Sequence, residues 1–170
     1  MKYVLCMLWC GMLLFGQLTG HEYGSFSLSA SQSPFVISDD NGSAFIPFSK
    51  PNRNEFQVSS DKIIAKPNSA EIKVKKKGKY IISYSVSATH PVGGTTSASE
   101  WISVLVINGT SCDNTTTMGG TTPILGSRTS ATGQTIVHLP KGSLVKLKIT
   151  NNATGELDVL TATIDLVKVD

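Results

Sequence analysis

The sequence predicts an all-β protein, and three observations support this. Apolar residues alternate with Ser, Thr and charged residues at a period of two through most of the chain, as in strands with one buried face. Clusters of Gly, Pro, Asn and Asp separate these runs at intervals of about 8 to 12 residues. Beyond residue 20, no window of about 11 residues has apolar positions at helical spacing. About ten strands without a helix predict a jelly-roll β-sandwich.

The chain begins with the layout of a secretory leader. Met1 and Lys2 precede the apolar residues 3–15, and the small or polar residues 16–20 follow. An apolar run of about 13 residues is shorter than the roughly 20 that cross a bilayer, so export is favoured over a retained membrane anchor. We expect residues 1–20 to be a signal peptide and residues 21–170 to be a single exported domain, with no membrane span after cleavage.

Charge and cysteine content narrow the class of protein further. Lys2 is the only charged residue in the predicted leader, and the whole chain has 15 Lys and Arg against 12 Asp and Glu, so the exported domain is nearly neutral. This balance does not indicate a nucleic-acid-binding protein. Cys112 is the one cysteine outside the leader, so no intrachain disulfide is expected. We expect a free, half-buried thiol, with a disulfide to another chain as the alternative.

Short strands are predicted in the first half of the chain. Phe26, Leu28 and Ala30 alternate with serines, which predicts a first strand with one apolar and one hydroxyl face. Short edge or hairpin strands are predicted at "PFVI", "AFIPF", "FQV", "KIIA" and "EIKVK". Pro47 confines its run to an edge or a bulge because proline cannot donate a ladder hydrogen bond.

Longer strands are predicted in the second half. In "GKYIISYSVSA", residues 78–88, alternation separates two faces. One face carries Tyr80, Ile82, Tyr84 and Val86 and is predicted to be buried, and the other carries Ile81 and three serines and is half-polar. "ASEWISVLVI" ends at a hairpin signal, Asn108-Gly109, from which "TSCDNTT" is predicted to run back. Three further strands follow at "TGQTIVHL", "LVKLKIT" and "ELDVLTATIDLVKV".

The order and spacing of three segments resemble the tumour necrosis factor and complement-component-1q superfamily. These segments are "GKYIISYSVSA", "VLVINGT" and "TGQTIVHLPKGSLVKLKI". The resemblance covers about residues 23–169 and is nearest to the bacterial heads that cap collagen-like spore-surface and cell-surface proteins. It implies a jelly-roll homotrimer that packs aromatic and aliphatic side chains of its long strands around a threefold axis. The core or trimer-interface candidates are Tyr80, Ile82, Tyr84, Val86, Trp101 and Leu166.

The resemblance also implies a secreted or surface-displayed binding or structural module, and not an enzyme. The first expected partner is a second and third copy of the chain. A surface protein, a collagen-like protein or a glycan would be the other partner, and loops such as residues 90–97 and 118–130 would contact it. Two alternatives remain: a monomeric carbohydrate-binding β-sandwich, for which Trp101 and a few tyrosines are the available aromatics, and a hydrolase on a jelly-roll frame.

No catalytic, cofactor or metal site is predicted. His21, His90 and His138 lack a second ligand at metal spacing, and the sequence has no Gly-x-Ser-x-Gly elbow. The run "DDNGS", residues 39–43, lacks the ligand spacing of a calcium loop, so turn chemistry is favoured over calcium binding.

Two surface features have both a structural and a functional interpretation. Lys73, Lys75 and Lys77 are predicted to point outward from "KVKKKGK". A solvated hairpin that protects a sheet edge is favoured there over a patch for heparin, another anionic glycan or nucleic acid. Four Asn-x-Ser/Thr sequons, little more than chance supplies, lie in predicted turns, so glycosylation stays open. They begin at Asn41, Asn108, Asn114 and Asn152.

Overall fold

The computed structural model describes residues 22–28, 33–38, 42–49, 63–65, 69–90, 99–121, 128–153 and 155–170. These residues form thirteen strands and one short 3-10 turn, and they contain no α-helix. The predicted all-β class is therefore confirmed. Among these ranges no helix has the length and apolar character needed to cross a membrane. The predicted leader, His21 and the "FQV" strand lie outside the described residues.

The strands form two antiparallel sheets packed face to face. The six-stranded sheet has the order β11-β7-β13-β1-β4, and β2 also pairs with β13. Its strands are β1 (Tyr23–Leu28), β2 (Phe35–Ile37), β4 (Phe48–Ser49), β7 (Gly78–Thr89), β11 (Arg128–Leu139) and β13 (Leu157–Lys168).

The seven-stranded sheet has the order β10-β8-β12-β6-β5, with β3 paired to β12 and β9 paired to β8. Its strands are β3 (Ser43–Phe45), β5 (Ile63–Ala65), β6 (Ile72–Val74), β8 (Ser99–Ile107), β9 (Thr110–Ser111), β10 (Thr117–Thr121) and β12 (Leu144–Asn151).

The structure divides two runs that were predicted to be single strands. "AFIPF" contains β3 and β4, which belong to different sheets, because the chain crosses the sandwich at the buried Ile46 and Pro47 and proline cannot extend a ladder. "TSCDNTT" contains β9 and then the 3-10 turn Asp113–Thr115. The Thr115 hydroxyl accepts a bond from the Leu105 amide at 3.1 Å, in place of a ladder bond.

The edge-protection interpretation of Lys73 is wrong. Lys73 does point outward between the buried Ile72 and Val74, as predicted. However, β6 lies between β5 and β12 and is not an edge strand. A lysine there does not blunt an exposed sheet edge.

The core lies between the two sheets and contains all six core or trimer-interface candidates. The side chains of Tyr80, Ile82, Tyr84, Val86, Trp101 and Leu166 are at most 3% exposed. Antiparallel pairing aligns β7 with β11 on one side and with β13 on the other. The alternation read from the sequence therefore fixes which face of each long strand is buried.

Two aromatic side chains join the sheets through hydrogen bonds. The Tyr84 hydroxyl, on β7, lies 3.2 Å from the Ser103 carbonyl oxygen and 2.9 Å from Thr117 Oγ1, and it also donates to the Thr115 carbonyl. These three partners belong to β8, to β10 and to the turn between β9 and β10. Across the sandwich, Trp101 Nε1 of β8 donates to Thr129 Oγ1 of β11 at 2.9 Å. The buried hydroxyl of Tyr84 and the buried indole N–H of Trp101 thus both have partners, as a stable core requires.

Tyr80 makes the stability of the fold sensitive to alkaline pH. Its hydroxyl donates to the Lys76 carbonyl oxygen at 3.0 Å. Burial, reinforced by the negative charges of Glu22 and Asp170, raises its pKa to about 12. The folded state favours the neutral phenol of Tyr80. The contribution of this phenol to the free energy of unfolding is therefore complete below pH 10 and is lost as pH rises toward 12.

We expect Tyr80→Phe to flatten the pH dependence of stability between pH 10 and 12. Across this range the free energy of unfolding should fall by about 2 to 3 kcal/mol more in the wild-type chain than in the variant. At pH 7 the variant should be about 1 kcal/mol less stable than the wild type, because it lacks one hydrogen bond. Denaturant unfolding at several pH values measures both effects. Parallel pH profiles for the two proteins would contradict the prediction.

Candidate functional site on the outer face of the six-stranded sheet

An apolar row crosses the outer face of the six-stranded sheet. In the strand register, Ile136 of β11 lies opposite Ile81 of β7, Ile81 lies opposite Val167 of β13, and Val167 lies opposite Tyr23 of β1. Side chains alternate along a strand, and Thr135, Ile82 and Leu166, each next to one of these residues, are buried. The four side chains therefore point outward on adjacent strands. We call Ile136, Ile81, Val167 and Tyr23 the apolar row.

The apolar row is partly open to solvent in the protomer. Ile136 is 59% exposed, and Ile81, Val167 and Tyr23 are half-buried. Single exposed apolar residues are common, but a contiguous set on one flat face is typical of a surface that contacts another molecule. The row is therefore the strongest candidate for an interface on this sheet.

Two polar rows continue this face beside the apolar row. The first contains Gln134, Ser83, Asp165 and Ser25, and the second contains Thr132, Ser85, Thr163 and Ser27. Asp165 carries the only charge in these two rows. A shallow depression opens between them, with Gly133 on its floor. Short hydroxyl side chains keep the face flat and supply hydrogen-bonding groups in both directions.

The outer face of the seven-stranded sheet has a different character. Lys146 and Lys148 project from the outward face of its central strand β12. The Lys146 ammonium lies 5.1 Å from the centroid of the Phe45 ring and 2.8 Å from Glu71 Oε1. Charged side chains thus lie beside Phe45 on this face.

The residues of the apolar row were not among the sequence-predicted candidates. The predicted set, from Tyr80 to Leu166, turns inward and forms the core. The alternation in "GKYIISYSVSA" already put Ile81 on the opposite face of its strand. What it could not show is that Ile136 and Val167, from two distant segments, lie beside Ile81. Trp101 is fully buried, so it offers no platform for a sugar ring, which weakens the monomeric carbohydrate-binding alternative.

Cys112 is half-buried and packs against the core. Its thiol has no disulfide partner within the described residues. Burial, and secondarily the charge of Asp113, raises the pKa of the thiol. The protonated form is therefore favoured, and a protonated thiol is a poor nucleophile.

Three of the four sequons lie on the described surface. Asn108, Asn114 and Asn152 are exposed, and Asn41 lies outside the described residues. The Asn108 side chain also holds the β8–β9 hairpin, where its φ is 52°. Its Oδ1 accepts a hydrogen bond from the Leu144 amide at 2.9 Å. Glycosylation of these asparagines, which the sequence leaves open, stays untested.

The two described histidines lie apart from each other and from any metal-ligand set. His138 is an exposed residue of β11, and His90 is buried at the end of β7, where its Nε2 lies 3.3 Å from Asn151 Oδ1. Within the described ranges, no three His, Cys, Asp or Glu side chains come together as metal ligands would. The "DDNGS" turn is only partly described.

A solved structure with a TM-score above 0.5 supports the fold assignment. The chain superposes on the structure of Eiger TNF from S. frugiperda with a TM-score of 0.56 at 11% identity, over 88% of this chain and 93% of that chain. Murine APRIL superposes with a TM-score of 0.49 at 15% identity, over 87% of this chain and 100% of that chain. No family model and no curated protein matches the sequence. The predicted jelly-roll sandwich of the tumour necrosis factor type is confirmed, and the nearness to bacterial surface heads stays a prediction.

Proposed function

We propose that this chain is an exported homotrimeric jelly-roll module, secreted or displayed on a surface, that serves as a binding or structural protein. Its protomers associate through the outer face of the six-stranded sheet. The apolar row supports this proposal. The resemblance described above implies threefold association, and the row crosses four adjacent strands of the six-stranded sheet.

The position of β11 favours a threefold assembly over a twofold one. A ring of three copies needs two different surfaces on each protomer, one packing against the other. β11 is the end strand of the six-stranded sheet, and its Ile136 is the most exposed residue of the apolar row. Ile136 at the edge of one protomer can therefore reach the face of the next, where the half-buried Ile81 and Val167 lie.

The hydrophobic effect favours this association. Burying a fully exposed large aliphatic side chain contributes about 1.5 to 3 kcal/mol, and Ile136, which is 59% exposed in the protomer, has most of this burial still to gain. The side chains of the two polar rows beside the apolar row can hydrogen-bond across the interface or keep bound water. Burying them therefore costs little free energy. A rigid trimer then presents three copies of any binding surface, which raises its apparent affinity through avidity.

We expect Ile81→Gln combined with Ile136→Gln to convert the trimer into a monomer. Both changes replace an apolar side chain by an uncharged polar one on the outer face, where neither residue contributes to the core. The matched control is Ile102→Gln combined with Val104→Gln, two half-buried outward residues on β8 of the other sheet. The control should remain trimeric in light scattering at micromolar concentration.

Circular dichroism and thermal melts of both variants show that folding is intact. The proposal is contradicted when the Ile81 and Ile136 variant keeps the wild-type mass. It is also contradicted when the control variant dissociates to the same extent, because the interface would then involve the seven-stranded sheet.

A further inference from the structure

A basic groove lies at the end of the sandwich where β6 leads into β7. Its lining consists of Lys73, Lys75, Lys76 and Lys141 around Ile64 and Gly142. Lys73 belongs to β6, Lys75 and Lys76 to the β6–β7 connection, and Lys141 to the turn between β11 and β12. We call these four lysines, with Ile64 and Gly142 between them, the basic groove.

Backbone hydrogen bonds hold the two lysine-bearing segments side by side. The Gly142 amide donates to the Val74 carbonyl oxygen at 2.7 Å, and the Val74 amide donates to the Ser143 carbonyl oxygen at 2.9 Å. The Ser143 hydroxyl donates in turn to the Pro140 carbonyl oxygen at 2.9 Å, within the same turn. Lys75 and Lys141 therefore face the groove from fixed backbones, although they lie far apart in the sequence.

The positive charge of the basic groove is largely uncompensated. Lys76 pairs with Glu22, whereas no carboxylate of the described residues pairs with Lys73, Lys75 or Lys141. No acidic side chain is among the lining residues. Clustered like charges repel and lower the stability of the protomer, and local costs of this kind are expected where a surface has a function.

We infer that the basic groove binds a sulfated polysaccharide. Such a chain carries repeated anionic groups along an extended backbone, which matches several ammonium groups spread over an open groove. The lysine stems and Ile64 supply an apolar floor on which sugar rings pack. This inference adds a partner class to the proposed function but depends on one protomer alone, since both segments of the groove belong to the same chain.

The lining disfavours two other anionic partners. Sequence-independent binding of single-stranded nucleic acid relies on aromatic side chains and arginines that stack on bases, and the groove holds neither. Binding to an anionic membrane combines basic residues with large apolar side chains that insert among the lipids. The exposed large apolar residues, such as Met118 and Phe45, do not belong to the groove.

The test compares two pairs of charge-removing substitutions in the full-length chain. Lys75→Gln with Lys141→Gln removes two charges from the groove. Lys148→Gln with Arg128→Gln removes two charges elsewhere and serves as the matched control. Binding to immobilised heparin is measured between 50 and 300 mM NaCl, an experimental range wide enough to resolve the slope of affinity against salt concentration.

The groove variant should lose about tenfold or more in heparin affinity, and its salt slope should fall by about 1 to 2. The control should stay within about twofold of the wild type, as expected for charges that do not contact the ligand. Equal losses of heparin affinity in the two variants, or no loss of affinity in either, would overturn the inference. So would tighter binding to single-stranded DNA of equal charge, or to vesicles of phosphatidylcholine and phosphatidylserine, than to heparin.

The same measurement on the Ile81→Gln, Ile136→Gln variant separates this inference from the proposed assembly. If the trimer forms, that variant should bind heparin more weakly through lost avidity, and removing Lys75 and Lys141 from it should weaken binding further. If the wild-type chain is itself a monomer, the Lys75→Gln, Lys141→Gln variant alone still decides whether the groove binds the polysaccharide.

Discussion

Gly119→Ala is expected to lower the free energy of unfolding by about 3 kcal/mol, the upper end of the usual cost of an added core carbon and a large share of the stability of an ordinary domain. Gly119 on β10 lies opposite Trp101 on β8. A Cβ at this position would lie 2.1 Å from Cε2 of the indole, closer than two non-bonded carbon atoms can approach. The ring cannot move aside freely because its Nε1 donates to Thr129 and joins the two sheets.

Gly120→Ala is the control for this substitution. Gly120 is the next residue on the same strand, it is exposed, and a Cβ there would have no atom within 4 Å. The control should be neutral or slightly stabilising, by up to about 1 kcal/mol, because alanine has less freedom in the unfolded chain. Urea unfolding measures both variants. Equal stability of the two would contradict the close packing of Trp101 against Gly119.

Tyr84→Phe is expected to lower the free energy of unfolding by about 2 to 3 kcal/mol. The change keeps the ring, which packs over Gly133, and removes the hydroxyl that bonds Thr115, Ser103 and Thr117 across the sandwich. Buried acceptors left without a donor cost about 1 to 3 kcal/mol.

Tyr80→Phe is the comparison for Tyr84→Phe, since the Tyr80 hydroxyl makes one hydrogen bond, to Lys76. In thermal and denaturant unfolding at pH 7, the loss of stability should be at least twice as large for Tyr84→Phe as for Tyr80→Phe. Equal losses would mean that the Tyr84 network does not join the sheets.

Much of the fold could be predicted from the sequence because alternation is a local property. The burial of Tyr80 and Ile82 and the outward direction of Ile81 follow from the period of a strand. The hairpin at Asn108 follows from its turn chemistry. These features need only a few neighbouring residues.

The candidate surfaces could not be predicted, because they depend on register between distant segments. Ile136, Ile81 and Val167 form a row only when three strands pair as they do. Lys141 joins Lys75 through hydrogen bonds made by Val74 and Gly142. No local pattern contains either arrangement. Nor does the sequence show that Pro47 takes the chain from one sheet to the other.

Sedimentation equilibrium of the wild-type chain at micromolar concentration tests whether the outer face of the six-stranded sheet is an interface. The apolar row predicts one species with three times the mass of the secreted chain, which dissociates when Ile81 and Ile136 become glutamine. A wild-type protein that sediments as a monomer would contradict the proposal, because the row would then stay exposed to solvent.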